Sequence, residues 1–303
     1  MKYNINMKGE YTILFDSSCG YSKEEIEKFG FEFIPFYIYI DNKEYIDGVN
    51  IGKDKVINAL QESKNIRTSM QSLGEIENIY DKALKNYNKL IVINLSSKLS
   101  GMNQACENIA NQKKYKGKVE VLESKLITPW IRKLVKYISE RKNDLSFDEM
   151  VKFIKEFNKN VFCTFYLTNL EPLVKSGRVS KQISKLVDLT KIYPTLVYEE
   201  GYISKNKVYK SRNSSKSLSK SVNYIKDYIE KENLNVDEYN IFIPTINGDN
   251  KEETFNKIKE KILSEIPNIK VIDWENNDNL QSVILVHLGY KVTGIGLIRN
   301  INS

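Results

Sequence analysis

Leu90-Ile91-Val92-Ile93-Asn94-Leu95, followed at once by Ser96-Ser97-Lys98-Leu99-Ser100-Gly101, is the stretch on which the reading of this chain turns. The first six residues are almost wholly apolar and read as a buried strand. The hydroxyl-rich segment behind them opens a helix that runs to about Asn111. Strand, polar loop and helix in that order form the repeating unit of parallel sheets.

The same rhythm extends to both sides. Tyr11–Phe15 reads as a strand ending in the loop Asp16-Ser17-Ser18. Ser22-Lys23-Glu24-Glu25 is a capping box, in which hydroxyl and carboxylate satisfy free amides at a helix start. Its helix runs to about Phe29, and Phe33–Ile40 is predicted as the next strand. Asp54–Leu60 and Glu75–Leu84 have helical spacing, and Val119–Leu122 is a strand. Leu126–Ile138 and Glu149–Phe157 are helices, the second opened by a capping box at Ser146 and Glu149. The first half is therefore a Rossmann-like α/β domain with a mostly parallel sheet.

The rhythm changes near residue 160. Val161–Leu167 is a strand, and short helices are expected at Glu171–Lys175 and Lys181–Leu189. Ile192–Tyr198 and Tyr202–Tyr209 flank Glu199-Glu200-Gly201, a hairpin turn. Ser214–Glu230 is a long helix, and Glu252–Ile262 is another. Tyr239–Ile246, Ile269–Trp274 and Val283–His287 are predicted as strands. A hairpin within this mixture indicates an α+β domain. The expected domains are 1–160 and 161–303.

Composition narrows the function. The 303 residues are 41% hydrophobic and 28% charged, which is globular rather than disordered. The formal charge of +7 reads as a lysine-rich solvated surface. Only Lys205–Lys220 concentrates it, with six basic residues and no acid; Tyr209 is its sole aromatic, so it offers no stacking platform for nucleic acid. Cys19, Cys106 and Cys163 are sparse and odd in number, as free thiols in a reducing compartment are. With one His and no CxxC spacing, no metal site is expected. Met1–Glu10 lacks an apolar leader core, and the longest apolar run is eight residues, so a cytoplasmic location is expected.

Three clusters carry chemistry. Thr68-Ser69-Met70-Gln71-Ser72-Leu73-Gly74 and Ser96–Gly101 each gather hydroxyls before a helix. Both are open to two readings: helix capping by Thr68 and Ser100, or an anion site built from hydroxyls and free amides. Their position after strands suits a ligand at the carboxyl ends of a sheet. His287-Leu288-Gly289, with Gly294 and Gly296 behind it, is either a core histidine or a ligand contact approached by bare backbone. A hydrolase built on Ser100 and His287 lacks the GxSxG elbow. No phosphate-cradling loop or GxGxxG is present.

Taken in order, these clusters resemble the DegV family, whose characterised members are fatty-acid-binding proteins of the FakB type. Asp16-Ser17-Ser18 is similar to the family's Asp-Ser-Thr, and Pro35 and Asp47-Gly48 match later signatures. Thr68–Gly74 resembles Thr-Ser-x-Pro-Ser-x-Gly, with Gln71 for Pro. Ser96–Gln104 resembles Ser-Ser-x-Leu-Ser-Gly-Thr-x-Gln, and Leu170–Arg178 resembles Leu-Glu-x-Leu-x-Lys-Gly-Gly-Arg. His287–Gly294 lines up with His-x-Gly-Pro-Gly-x-x-Gly, with Tyr290-Lys291 for Pro-Gly. Glu123 stands for Asp, and Thr128-Pro129-Trp130 for a small-residue stretch.

The resemblance implies a DegV-like fold with a ligand site between the two domains. It implies a carrier, not an enzyme, that needs no cofactor and holds a long-chain fatty acid as its ligand. Thr68, Ser100 and His287 are then the carboxylate ligands, supported by Ser69, Ser97, Gly101 and Lys291. Arg178 faces a separate fatty-acid kinase, whose acyl-phosphate product feeds phospholipid synthesis. Transient contact with a membrane surface is left open. The alternatives are a diverged lipid-binding or interaction protein, and the Ser100/His287 hydrolase.

Overall fold

The computed structural model describes residues 8–159, 161–167, 170–179, 194–246, 251–272, 282–290 and 292–300. The expected helix at Lys181–Leu189, Trp274 and Lys291 lie outside them. The chain divides into two compact units, Met1–Gly52 with Thr68–Asn158, and Lys53–Arg67 with Lys159–Ser303. The segment 53–67, which sequence alone leaves in the first half, groups with the second unit.

The first unit is built on β1 (Gly9–Asp16), β2 (Glu32–Ile34), β6 (Tyr87–Ile93) and β7 (Val119–Leu122), in the order β2-β1-β6-β7. All three pairings are parallel, with Leu14 opposite Glu32, Phe15 opposite Ile93 and Ile91 opposite Glu120. β1 and β6 are the central strands, and Ile13, Leu14, Phe15 and Leu90–Ile93 are fully buried, as strands covered on both faces require. Its helices are α1 (Lys23–Lys28), α3 (Leu73–Asn86), α4 (Met102–Ala110), α5 (Thr128–Arg141) and α6 (Phe147–Phe157). Capping boxes open α1 at Ser22 and α6 at Ser146, as expected.

The predicted strand Phe33–Ile40 is two strands. Pro35 has no amide to donate to a ladder, so the chain leaves the parallel sheet there and re-enters a separate one as β3 (Tyr37–Ile40). β3 pairs antiparallel with β4 (Lys43–Ile46) through a two-residue turn in which Asp41 and Asn42 have φ of 46° and 70°. β5 (Ile66–Ser69) completes this three-stranded sheet in the order β4-β3-β5.

The second unit contains α2 (Lys53–Gln61), β8 (Phe162–Leu167), α7 (Glu171–Lys175), β9 (Thr195–Glu199), β10 (Tyr202–Tyr209) and α8 (Ser214–Lys231). It continues with β11 (Tyr239–Phe242), β12 (Thr245–Ile246), α9 (Lys251–Glu265), β13 (Lys270–Ile272), α10 (Ser282–Leu288) and β14 (Val292–Arg299). The sheet order is β10-β9-β8-β14-β11-β13, antiparallel except for β11 with β13. The β9–β10 hairpin turns at Glu200 and Gly201, with φ of 51° and 87°. Val222 and Ile225 of α8 and Ile258 and Ile262 of α9 pack with Ile241, Val197 and Leu297 of the sheet.

Val283–His287, predicted as a strand, is the body of helix α10. A short apolar run has no periodicity to separate strand from helix. The decisive signal lies just after it: Gly289 has φ +79° and donates its N–H to Leu285 O at 2.8 Å, a left-handed helix stop.

Candidate functional site

The polar residues of the first unit collect where β1 and β6 end. Asp16, the last residue of β1, is fully buried. It accepts from the Ser18 amide at 3.0 Å and from the Ser18 hydroxyl. Its other oxygen accepts the Leu95 amide at 2.7 Å. Ser17 donates its hydroxyl to Asp47 Oδ2 at 2.7 Å and accepts the Phe36 amide at 3.1 Å. The Asp-Gly pair has a steric reason: Gly48 has φ +71°, and a Cβ there would lie 2.9 Å from the Phe33 ring. The Gly48 carbonyl accepts the Lys23 amide at 2.9 Å, which ties the start of α1 to this loop.

After β6 the chain makes a tight turn. Ser96 O accepts the amides of Leu99 at 2.9 Å and Ser100 at 3.1 Å. Ser100 precedes the cap position, which Gly101 occupies without a side-chain hydrogen bond. The Ser100 oxygen accepts the Met102 amide at 3.2 Å, and among the described residues no acceptor takes its hydroxyl proton. Glu123 accepts from the amides of Ser97 at 3.4 Å and Lys125 at 2.9 Å, bracing the loop after β7 against this turn.

Thr68 and Ser69 lie on strand β5, and neither is a helix cap. Ser72 caps α3, with Glu75 completing a capping box that went unread in the sequence although Ser-x-x-Glu was its signal. Gln71 is buried and donates to Pro35 O at 3.0 Å. The sulfur of Met70 lies 3.6 Å from where a Gly101 Cβ would stand, so the loops carrying Thr68 and Ser100 are neighbours. Trp130, in the first turn of α5, is buried.

His287 and Arg178 belong to the second unit. His287 sits in the last turn of α10. Burial, reinforced by the Arg178 charge, pushes its pKa down to about 3, so the imidazole is neutral at physiological pH. Arg178 is exposed, follows Gly177 with φ +71°, and donates to the Ser176 carbonyl. Within the basic segment, Lys207 pairs with Glu199 at 2.6 Å, while Lys210, Arg212 and Lys216 are exposed. Among the described residues no cluster of His, Cys, Asp and Glu fit to hold a metal is found, and no helix is long and apolar enough to cross a membrane.

The profile of a family described as uncharacterised proteins of the DegV family matches residues 10–300. The chain belongs to the DegV family. It is similar to a DegV domain-containing protein of Mycoplasmopsis pulmonis, 28% identical over 288 residues, covering 95% of this chain and 94% of that one. A DegV domain-containing protein of Clostridium acetobutylicum is 29% identical over 291 residues, covering 94% and 98%. Among solved structures, the fold is similar to a fatty-acid-binding DegV family protein from Streptococcus agalactiae, with TM-score 0.75, 23% identity and coverage of 96% and 99%. A stearic-acid-binding protein from Eubacterium ventriosum gives TM-score 0.76 at 20% identity, covering 95% and 98%. This DegV chain therefore shares their fold, and its α/β and α+β units are those of the family.

Proposed function

We propose that this protein is a fatty-acid carrier that buries an acyl chain and presents the carboxylate to a separate fatty-acid kinase. The observation that carries the reading is the juxtaposition of the Thr68 and Ser100 loops, with the Ser100 hydroxyl proton uncommitted. Fatty acids bound by proteins of the same fold support it. Thr68 and Ser100 are the proposed carboxylate ligands, and neutral His287 is the third.

The energetics suit a carrier. Each hydrogen bond to a charged group contributes roughly 1.5–3 kcal/mol. Desolvating the carboxylate costs several kcal/mol, so the headgroup about breaks even. A tail of ~15 methylenes supplies on the order of 12 kcal/mol at about 0.8 kcal/mol per CH₂. The headgroup is thus held loosely enough to react with chemistry supplied elsewhere. A His287 held neutral down to about pH 3 is also a poor general base, which disfavours the hydrolase.

Denaturing mass spectrometry of the purified protein tests the proposal. A stoichiometric long-chain fatty acid is expected. A protein that stays empty after incubation with fatty acids of several lengths would refute it.

A further inference from the structure

Beyond its role in the buried network, one side chain bridges the two chain segments that leave the central strands. β1 and β6 pair up to Phe15 and Ile93. Past that rung the Leu95 amide is accepted by the carboxylate of Asp16, at 2.7 Å. Leu95 is followed directly by Ser96, whose carbonyl anchors the Ser100 amide at 3.1 Å. The route from Asp16 to the Ser100 hydroxyl is therefore a short run of hydrogen-bonded backbone.

We infer that Asp16 is the positioning residue for the Leu95–Gly101 segment and that its ionisation sets how well Ser100 is placed to hold a ligand carboxylate. This rests on the fatty-acid reading of Ser100 proposed above. Both oxygens of the side chain act as acceptors: Oδ1 takes the Ser18 amide and hydroxyl, and Oδ2 takes Leu95. Only an ionised carboxylate accepts at every one of these contacts without turning a donor toward one of them. Burial opposes that ionisation, and the Ser18 and Leu95 donors oppose burial only in part, leaving the pKa at about 6.

Among the described residues, the groups around Asp16 supply no counter-charge. The Cys19 and Cys106 thiols are held protonated by burial. Asp47 is a second buried carboxylate, which already takes the Ser17 hydroxyl. The Arg132 guanidinium of α5 donates to the Gly20 carbonyl and stacks over the Tyr21 ring at 3.8 Å. A proton on Oδ1 can be accepted by the Ser18 hydroxyl oxygen, but the Leu95 amide then keeps only a neutral carboxyl oxygen in place of a carboxylate, and the turn beyond Leu95 is held more weakly.

The test is a titration of lipid-free protein with cis-parinaric acid between pH 7.5 and 5. Asp16→Asn puts an amide donor on one side of the group at every pH, as protonation does to the wild type. The variant should bind about 10-fold more weakly at pH 7.5. The ratio of its affinity to that of the wild type should approach one at pH 5, and this ratio cancels protonation of the probe itself. Ser18→Ala, which removes one donor and leaves the backbone bond, should move the wild-type midpoint to higher pH. A ratio that stays constant across the range, or an unmoved midpoint in Ser18→Ala, overturns the inference. A wild type that binds no probe at pH 7.5 overturns the fatty-acid reading and this inference with it.

Discussion

Gln71 and Pro35 are joined across the first unit: the Gln71 amide donates to the Pro35 carbonyl at 3.0 Å, while its oxygen accepts the Tyr37 hydroxyl at 3.3 Å. The proline that ends β2 leaves a carbonyl outside any ladder, and the loop after β5 supplies its donor. Gln71→Ala strips both bonds from a buried position. It should lower unfolding stability by about 1–2 kcal/mol, read as a shift in urea midpoint at unchanged slope. A variant as stable as the wild type would show the pair to be incidental.

Thr68→Ala and Ser100→Ala should each weaken fatty-acid binding by ~1–3 kcal/mol, about one hydrogen bond to a carboxylate, without unfolding the protein. Fluorescent fatty-acid titration and circular dichroism on the same samples check this. Unchanged affinity in both variants would place the carboxylate elsewhere.

His287 is the chain's only histidine, so its imidazole gives a single, unambiguous NMR signal. With the folded pKa near 3, that signal should not titrate between pH 7 and 5. The sign of the stability effect follows. Between the ordinary value near 6.5 and about 3, the unfolded chain binds a proton that the folded chain excludes, so stability falls as pH drops through this window. Asp16 works in the opposite sense. With its folded value near 6 and an ordinary value near 3.8, the folded state gains the proton first, and its contribution to stability rises as pH drops from 6 to 3.8. His287→Gln should therefore remove part of the acid loss of melting temperature, and Asp16→Asn should deepen it. The same slope in His287→Gln as in the wild type would contradict the burial of a neutral imidazole.

Arg178→Ala should retain fatty-acid affinity while losing most turnover when a cognate kinase, ATP and Mg²⁺ are added. An exposed guanidinium beside a left-handed glycine suits a bidentate contact with a partner. Parallel loss of binding and turnover would place Arg178 at the ligand, and retention of both would reduce it to a surface charge. ATP-dependent acyl phosphate formed without any kinase would overturn the carrier proposal.

Legibility in the sequence followed the range of the interactions. The Ser22 and Ser146 caps, the Glu200-Gly201 turn and α7 are local and were read directly. The break at Pro35 was misread because apolar residues continue on both sides of it, although proline itself was the signal. The only local signal of the β3–β4 hairpin is Asp41-Asn42, a pair suited to positive φ. The buried residues of α10 run without interruption, so its sequence has the pattern of a strand. Thr68 and Ser100 stand out in the sequence as hydroxyls before helices, but which residues cap is a matter of backbone geometry: Ser72 and Gly101 hold the cap positions, and Ser100 still accepts the Met102 amide. The Asp16–Leu95 contact spans distant segments and has no sequence signature at all.

The grouping of α2 with α10 has a consequence for how the protein is made. α2 leaves the ribosome early, yet the helix against which it packs begins only at Ser282. Val56, Ile57 and Ala59, buried in the finished protein, must stay uncovered on that side through most of synthesis. Chains ending before Ser282 lack the helix that packs on α2. A gene cut at the apparent midpoint keeps α2 and loses the helix on which it packs.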